Sequence, residues 1–271
     1  MRRFSAEYLS RTREGMWADS QAALADLDLS NRGRILDVGC GTGELTRVLA
    51  SEPAADTEVI GVDADRRLLD VASESVPAVA GDALRLPVAD DSVDLVVCQA
   101  LLINLPEPSA ALREFARVST DLVAAIEPNN AAVSVDSTVD SEVDLESRVR
   151  EAYLQGVETD VALGEQVESL FDEVGIKPLS TRQYDHEKRT EPPYSEDALR
   201  SAKRKASGKG LADHETELRR GVDDEETYDT LRRAWREMGR EVIEQMQAES
   251  YKRVETVPFT VTVGQVDNDA D

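Results

Sequence analysis

Residues 34–50 read RILDVGCGTGELTRVLA. An apolar run from Ile35 to Val38 meets Gly39, Gly41 and Gly43 and then becomes a helix-like pattern. A strand that ends in a tight glycine turn and opens a helix builds a site for an anion or a nucleotide. Glycine lets the backbone adopt φ > 0 and approach a ligand. The helix start adds free N–H donors and the positive end of a dipole. Spacing separates the chemistries. The phosphate loop GxxxxGK[ST] fails because no lysine follows. The dinucleotide fingerprint GxGxxG, counted from Gly39, puts Glu44 at its sixth position, where an acid would face a pyrophosphate. DxGxGxG remains: Asp37, Gly39, Gly41 and Gly43.

Other polar residues close the apolar runs that follow: Asp63 with Ala64, Asp82 with Ala83, Gln99, and Glu127. In an open α/β sheet, ligands sit beyond the carboxyl ends of the strands. Asp63 is placed to accept both hydroxyls of a ribose. Its ordinary alternative is a helix N-cap, but Asp63 sits too early for that. Gln99 is placed to reach a cofactor, and Cys98 reads as a small buried hydrophobe. His186 and His214 titrate near neutrality and are candidate bases; the ordinary alternative is a surface histidine. Glu127 either touches an acceptor or starts the turn before Pro128.

The elements that must position these residues alternate. Strands are expected at 34–38, 58–62, 76–80, 93–98 and 120–126. Helices are expected near 43–51, 65–73 and 107–117, with a short one at 84–86. Near-continuous Val/Ile/Leu runs mark strands buried on both faces, hence a parallel sheet covered by helices. A helix is expected over 5–30. After Asn129 the stretch 131–142 is polar with little pattern. Helices follow near 143–154 and 164–174, the second ending at Gly175, then a strand near 179–187 and a turn at 190–195. A mostly helical stretch runs to about 253, and VPFTVTV alternates as a half-buried strand. The chain thus divides into an N-terminal helical segment (1–30), a core (31–130), a helical cap (131–165), a core helix and strand (166–190), a helical insertion (191–256), the last core strand (257–264) and a disordered tail (265–271).

The DxGxGxG turn resembles the first motif of class I S-adenosylmethionine-dependent methyltransferases. GDALRLPVADDSVDLVVCQALL is similar to the corresponding block of their small-molecule branch, which includes the ubiquinone/menaquinone-biosynthesis type; Val93 stands where that block has Phe. The resemblance covers about residues 30–130. It implies a Rossmann-like α/β fold: a seven-stranded, mostly parallel sheet with an antiparallel last strand, helices on both faces and a helical cap or insertion. It implies S-adenosylmethionine as cofactor and S-adenosylhomocysteine as product. That ligand carries a sulfonium and an amino acid zwitterion, so acids at Asp37 and Glu44 are tolerable. In that family an acid at the position of Asp82 takes the adenine amino group and the next amide, here Ala83, meets the ring. The implied cofactor set is Asp37, Gly39, Gly41, Gly43, Asp63, Ala64, Asp82, Ala83 and Gln99. Arg13 either pairs with the donor's carboxylate or is solvated. The cofactor already carries the activation, so no catalytic residue need advertise itself; Glu127 and His186 are the candidates.

Asp plus Glu number 55 against 31 for Lys plus Arg, giving −24. Only six residues are lysine: Lys177, Lys188, Lys203, Lys205, Lys209 and Lys252. Such a surface resembles that of salt-adapted proteins, whose self-repulsion concentrated salt screens. It argues against broad nucleic-acid binding. The exception is the basic stretch Arg200–Lys209, which either attracts an anion or RNA or is solvated. The [ND]PP[YF] signature of amino-methylating nucleic-acid enzymes is missing after 93–98, and Glu191-Pro192-Pro193-Tyr194 reads as a turn. Two cysteines, Cys40 and Cys98, suggest no metal or disulfide framework. No run is long enough for a membrane span, and the start has no signal-peptide pattern, so a cytoplasmic protein is expected. The reading is a methyltransferase acting on a small molecule. The alternatives are an RNA or protein methyltransferase, a non-catalytic binder of the same cofactor and, more distantly, a nicotinamide oxidoreductase.

Overall fold

The computed structural model describes residues 9, 16–17, 21–51, 56–222 and 225–267. Half of the helix expected over 5–30 falls outside them; within them, Gln21–Leu27 and Leu29–Asn31 are 3-10 helices.

Five parallel strands form first: β1 (Arg34–Val38), β2 (Glu58–Asp63), β3 (Ala78–Ala80), β4 (Val93–Gln99) and β5 (Ser119–Pro128). Helices α1 (Glu44–Ser51), α2 (Arg66–Ala72) and α3 (Pro108–Val118) connect them. The spatial order is β3-β2-β1-β4-β5. Chain direction across the sheet therefore reverses between β1 and β4, which opens the crevice where open α/β sheets take ligands. Ile35, Leu36, Val38, Leu95, Val96, Val97 and Cys98 are almost fully buried, as continuous apolar strands require. Helix α3 is amphipathic and buries Leu112, Phe115 and Val118. The expected helix at 84–86 is instead a turn, in which Asp82 and Arg85 form an isolated bridge.

Three more strands complete the sheet. β8 (Arg253–Val266) runs antiparallel to β5, with Ala124 opposite Val263. β7 (Ile176–Thr190) also pairs β8. β6 (Ser134–Ser137) runs antiparallel to the start of β8. Among the described residues the sheet has eight strands, the seven expected ones and the short β6. β6 reads SVDS, too short and polar to alternate visibly, and only its pairing with Arg253–Thr256 makes it a strand. Of the tail expected at 265–271, Gln265 and Val266 belong to β8, where Gln265 pairs with Leu122, and residues 268–271 lie outside the described residues.

The chain forms two compact units. Unit 1 comprises residues 1–129, 162–184 and 259–271; unit 2 comprises 130–161 and 185–258. Unit 1 holds the parallel strands and also the helix Val167–Glu173, expected over 164–174, after which Gly175 has φ 79°. Unit 2 is built on three long helices, Asp140–Gly156, Glu196–Ser207 and Glu225–Gln247. The last buries Tyr228, Leu231, Trp235, Met238, Val242 and Met246 at helical spacing. Gly156 and Gly221 let two helices of unit 2 touch through their backbones: a Cβ at either would fall within 2 Å of a carbonyl oxygen, at 1.8 and 1.7 Å.

Unit 2 also contains a buried polar cluster. Glu142 is fully buried and accepts from Lys205, from Ser137 Oγ at 2.5 Å and from Tyr251 Oη at 2.9 Å. Lys205 Nζ also bonds Glu146 at 2.8 Å, and Arg253 joins Glu146 and Glu255. Burial works to raise the Glu142 carboxyl, but Lys205 and Arg253 outweigh it and hold it below the usual range.

Candidate functional site

The glycine turn lies at the end of β1, beside the reversal point. Gly39, Gly41 and Gly43 have φ of 76°, 57° and 83°. At Gly39 the requirement is double, because a Cβ there would stand 2.9 Å from Leu101 Cδ1. The turn is pinned from both sides. Gly39 and Cys40 donate N–H bonds to the Val62 carbonyl at 2.7 and 3.1 Å. Asp37, 1% exposed, accepts from Thr46 Oγ1 at 2.6 Å, tying β1 to the first turns of α1. Asp37 therefore shapes the turn from beneath. Glu44 opens α1 and accepts from Thr42 Oγ1 at 2.7 Å, an acid in its favoured first-turn position.

Asp63 ends β2 half-buried. Its Oδ2 accepts the Gly41 N–H at 2.9 Å, and its Oδ1 accepts the Asp65 N–H at 2.8 Å. The N-cap of α2 is Asp65, which accepts from Arg67 N. Asp63 is thus free of capping and linked directly to the glycine turn. An ionised carboxylate has about four acceptor positions, so two bonds leave capacity for ribose hydroxyls. Ala64 is exposed beside it. Asp82, after β3, is exposed; its Oδ1 accepts Leu84 N–H at 3.0 Å, while Ala83 is buried.

Gln99 ends β4, 2% exposed, with Nε2 2.8 Å from Met16 Sδ. Met16, 5% exposed, is thereby placed over this strand end, which no motif in the sequence signals. Ala100 turns with φ 49° into the 3-10 segment Leu102–Asn104. Arg13 lies outside the described residues.

The candidate bases have different surroundings. Glu127 is fully buried and accepts the N–H groups of Leu101, Leu102 and Ile103 at 3.0, 2.8 and 3.4 Å. It is not an exposed acid at the acceptor face, because its oxygens are turned onto the backbone after β4. Burial pushes its carboxyl up to about 7. Cys98 is fully buried, and burial, Glu127 and Asp37 push its thiol well above the usual range, which keeps it un-ionised and unreactive. His186 lies on β7 in unit 2, where burial and then Lys188 hold its imidazole below the usual value. His214, in unit 2, is exposed and packs edge-on to Tyr153 at 5.2 Å. The basic stretch 200–209 is largely paired within its own unit: Arg200 with Asp197, Arg204 with Asp213, and Lys205 with Glu142 and Glu146.

Residues 36–121 match the family described as "Methyltransferase domain". A demethylmenaquinone methyltransferase of Lactiplantibacillus plantarum is 38% identical over 104 residues, 35% of this chain and 44% of that one. One from Staphylococcus aureus (strain MRSA252) is 36% identical over 101 residues, 35% and 42% of the two chains. The match spans less than half the length of either relative. Among solved structures, the YcgJ protein of Bacillus subtilis aligns over 91% of this chain and 99% of its own at a TM-score of 0.52 and 14% identity. The [4+2]-cyclase SpnF aligns over 97% and 83% at 0.51 and 18%. At such identities the likeness is one of fold: the Rossmann-like fold that methyltransferases use.

Proposed function

We propose that this chain, whose residues 36–121 match the methyltransferase-domain family, moves a methyl group from S-adenosylmethionine to a small molecule. The observation that carries this reading is the bond from Gly41 N–H to Asp63 Oδ2. It joins the glycine turn to an acid with spare acceptor capacity, beside the reversal point of the sheet. The residues fit this donor and not a dinucleotide. Glu44 occupies the position that would meet a pyrophosphate, whereas a cationic sulfonium and a zwitterion tolerate Asp37, Glu44 and Asp63.

In this reading Asp63 takes the ribose hydroxyls, Asp82 and the Ala83 amide take the adenine, and Gln99 and the glycine turn face the amino acid part. The sulfonium supplies the activated methyl. The chain's own residues align donor and acceptor and exclude water. No base is assigned, since Glu127 is engaged with backbone. The names of the curated relatives favour an apolar ring acceptor of the quinone type. Pairing within the 200–209 stretch counts against RNA. The cyclase of the same fold shows why the reaction class still needs a direct test.

The test is calorimetry with S-adenosylmethionine, S-adenosylhomocysteine and NAD, in dilute and in molar KCl, on the wild type and Asp63→Ala. Micromolar binding of the two sulfur ligands alone, lost in the variant, is expected; labelled methyl transfer to demethylated quinones follows. Absence of binding by folded protein would overturn the reading.

A further inference from the structure

Glu127 presents a buried carboxylate with no cation beside it. Among the described residues no ion pair reaches it, and its donors are three main-chain N–H groups and the Cys98 thiol, 3.8 Å away. Those N–H groups open the 3-10 segment Leu102–Asn104, where the chain has no carbonyl of its own to offer them. A carboxylate can accept all three at once; a hydroxyl has fewer lone pairs and an amide would aim donors at donors. The turn it holds is also strained, since Ala100 at its start has φ 49°, a region costing a non-glycine residue roughly 1–2 kcal/mol. From this turn Leu101 reaches the glycine loop, with Cδ1 only 2.9 Å from where a Cβ on Gly39 would stand.

We infer that Glu127 is a positioning residue of the donor site: its ionised carboxylate fixes residues 101–103, so that Leu101 buttresses Gly39 and the glycine turn keeps the shape that receives the methyl donor. The inference rests on the donor-binding reading above. It makes donor affinity depend on a proton that never touches the donor. Few groups face this carboxylate. Cys98 of β4 is adjacent and Asp37 of β1 lies beyond it. Thr260 of β8 pairs opposite its backbone, and Gly164 approaches its carbonyl. None of these is cationic. Protonation therefore replaces an acceptor by a donor against three N–H groups, and burial brings that change close to neutral pH.

The experiment is calorimetry with S-adenosylhomocysteine on the wild type and Glu127→Gln. It runs from about pH 5.5 to 8.5, where one linked proton changes affinity by at most about tenfold per unit. Wild-type affinity should fall as pH drops below about 7. The glutamine variant should bind at least about tenfold more weakly at the alkaline end, with a profile lacking that limb. Amide exchange at Leu101–Ile103, measured without ligand, should be slow in the wild type and fast in the variant. Equal affinity and equal pH profiles in the two proteins would overturn the positioning role while leaving donor binding intact. A folded wild type that fails to bind at any pH overturns the donor-binding reading, and this inference with it.

Discussion

Replacing Gly39 by alanine tests the geometry of the turn most directly. The residue has φ 76°, and its new Cβ would stand 2.9 Å from Leu101 Cδ1 and 3.2 Å from Cγ and Cδ2. The left-handed backbone costs an L-residue roughly 1–2 kcal/mol. Forcing a methyl into a packed site costs about 1–3 kcal/mol more. The sum is about 2–5 kcal/mol, a large share of an ordinary domain's stability. The two parts separate with Leu101→Ala. Alone, that substitution removes a side chain 8% exposed and should cost about 2–5 kcal/mol. Combined with Gly39→Ala, it removes the clash and leaves the backbone strain. The double variant should therefore be less destabilised than the sum by about 1–3 kcal/mol.

The assay is urea unfolding followed by fluorescence. The chain has two tryptophans, Trp17 in unit 1 and Trp235 in unit 2. A common Trp235→Phe background makes Trp17 the reporter of the unit that holds the turn. Strict additivity of the two substitutions would refute the contact between Leu101 and the glycine turn. A Gly39→Ala variant within about 0.5 kcal/mol of its parent would refute the backbone argument as well.

Other outcomes follow from the buried charges. Glu142 is held below the usual carboxylate range, so its contribution is present above about pH 4.5 and lost as pH falls through its lowered value; unit 2, read through Trp235, should lose stability in acid, and Glu142→Gln should flatten that limb. Glu127 has the opposite sign. Its carboxyl is raised to about 7, so its contribution is complete below the ordinary value near 4.5 and lost as pH rises through about 7, and Glu127→Gln should remove this limb from the unfolding profile of unit 1. Lys205→Met leaves Glu142 and Glu146 short of a cation and should cost about 3 kcal/mol in urea unfolding. Cys40 and Cys98 are both buried, and native protein should stay unreactive toward a thiol-specific reagent near pH 8 until denaturant is added.

The parts of the fold visible in the sequence are those that local physics writes locally. RILDV, VDLVVC and LVAAI are apolar because both sheet faces are covered, and Gly39, Gly41 and Gly43 are glycine because each has φ > 0. Asp63 was legible because its place at a strand end and the independent cap at Asp65 distinguish it from an N-terminal acid of α2. What the sequence did not reveal depends on distant partners. SVDS becomes β6 through pairing with residues more than a hundred positions away. Glu127 looks like an acid at a ligand edge until the N–H groups of 101–103 turn toward it. Lys205 looks like part of a basic patch until Glu142 and Glu146 meet it.

That last rearrangement bears on the acceptor. A polyanionic acceptor needs cations that are exposed and unpaired, because its affinity comes largely from neutralising phosphates. Along 200–209 the pairing of Arg200, Arg204 and Lys205 leaves Lys203 and Lys209 exposed. The other concentration of cations, Arg232, Arg233, Arg236 and Arg240 on one helix, lines a hollow interleaved with Asp229 and Glu237, so its field is divided. Against a chain of net charge −24, neither patch supplies the continuous positive track a nucleic acid would require. A small neutral acceptor needs no such field. Its affinity comes from apolar burial, which added salt strengthens or leaves intact. Salt dependence therefore discriminates the two acceptor classes: raising KCl to molar concentration should preserve or increase transfer to a quinone-type acceptor, and a steep fall in transfer with salt would instead point to a phosphate backbone.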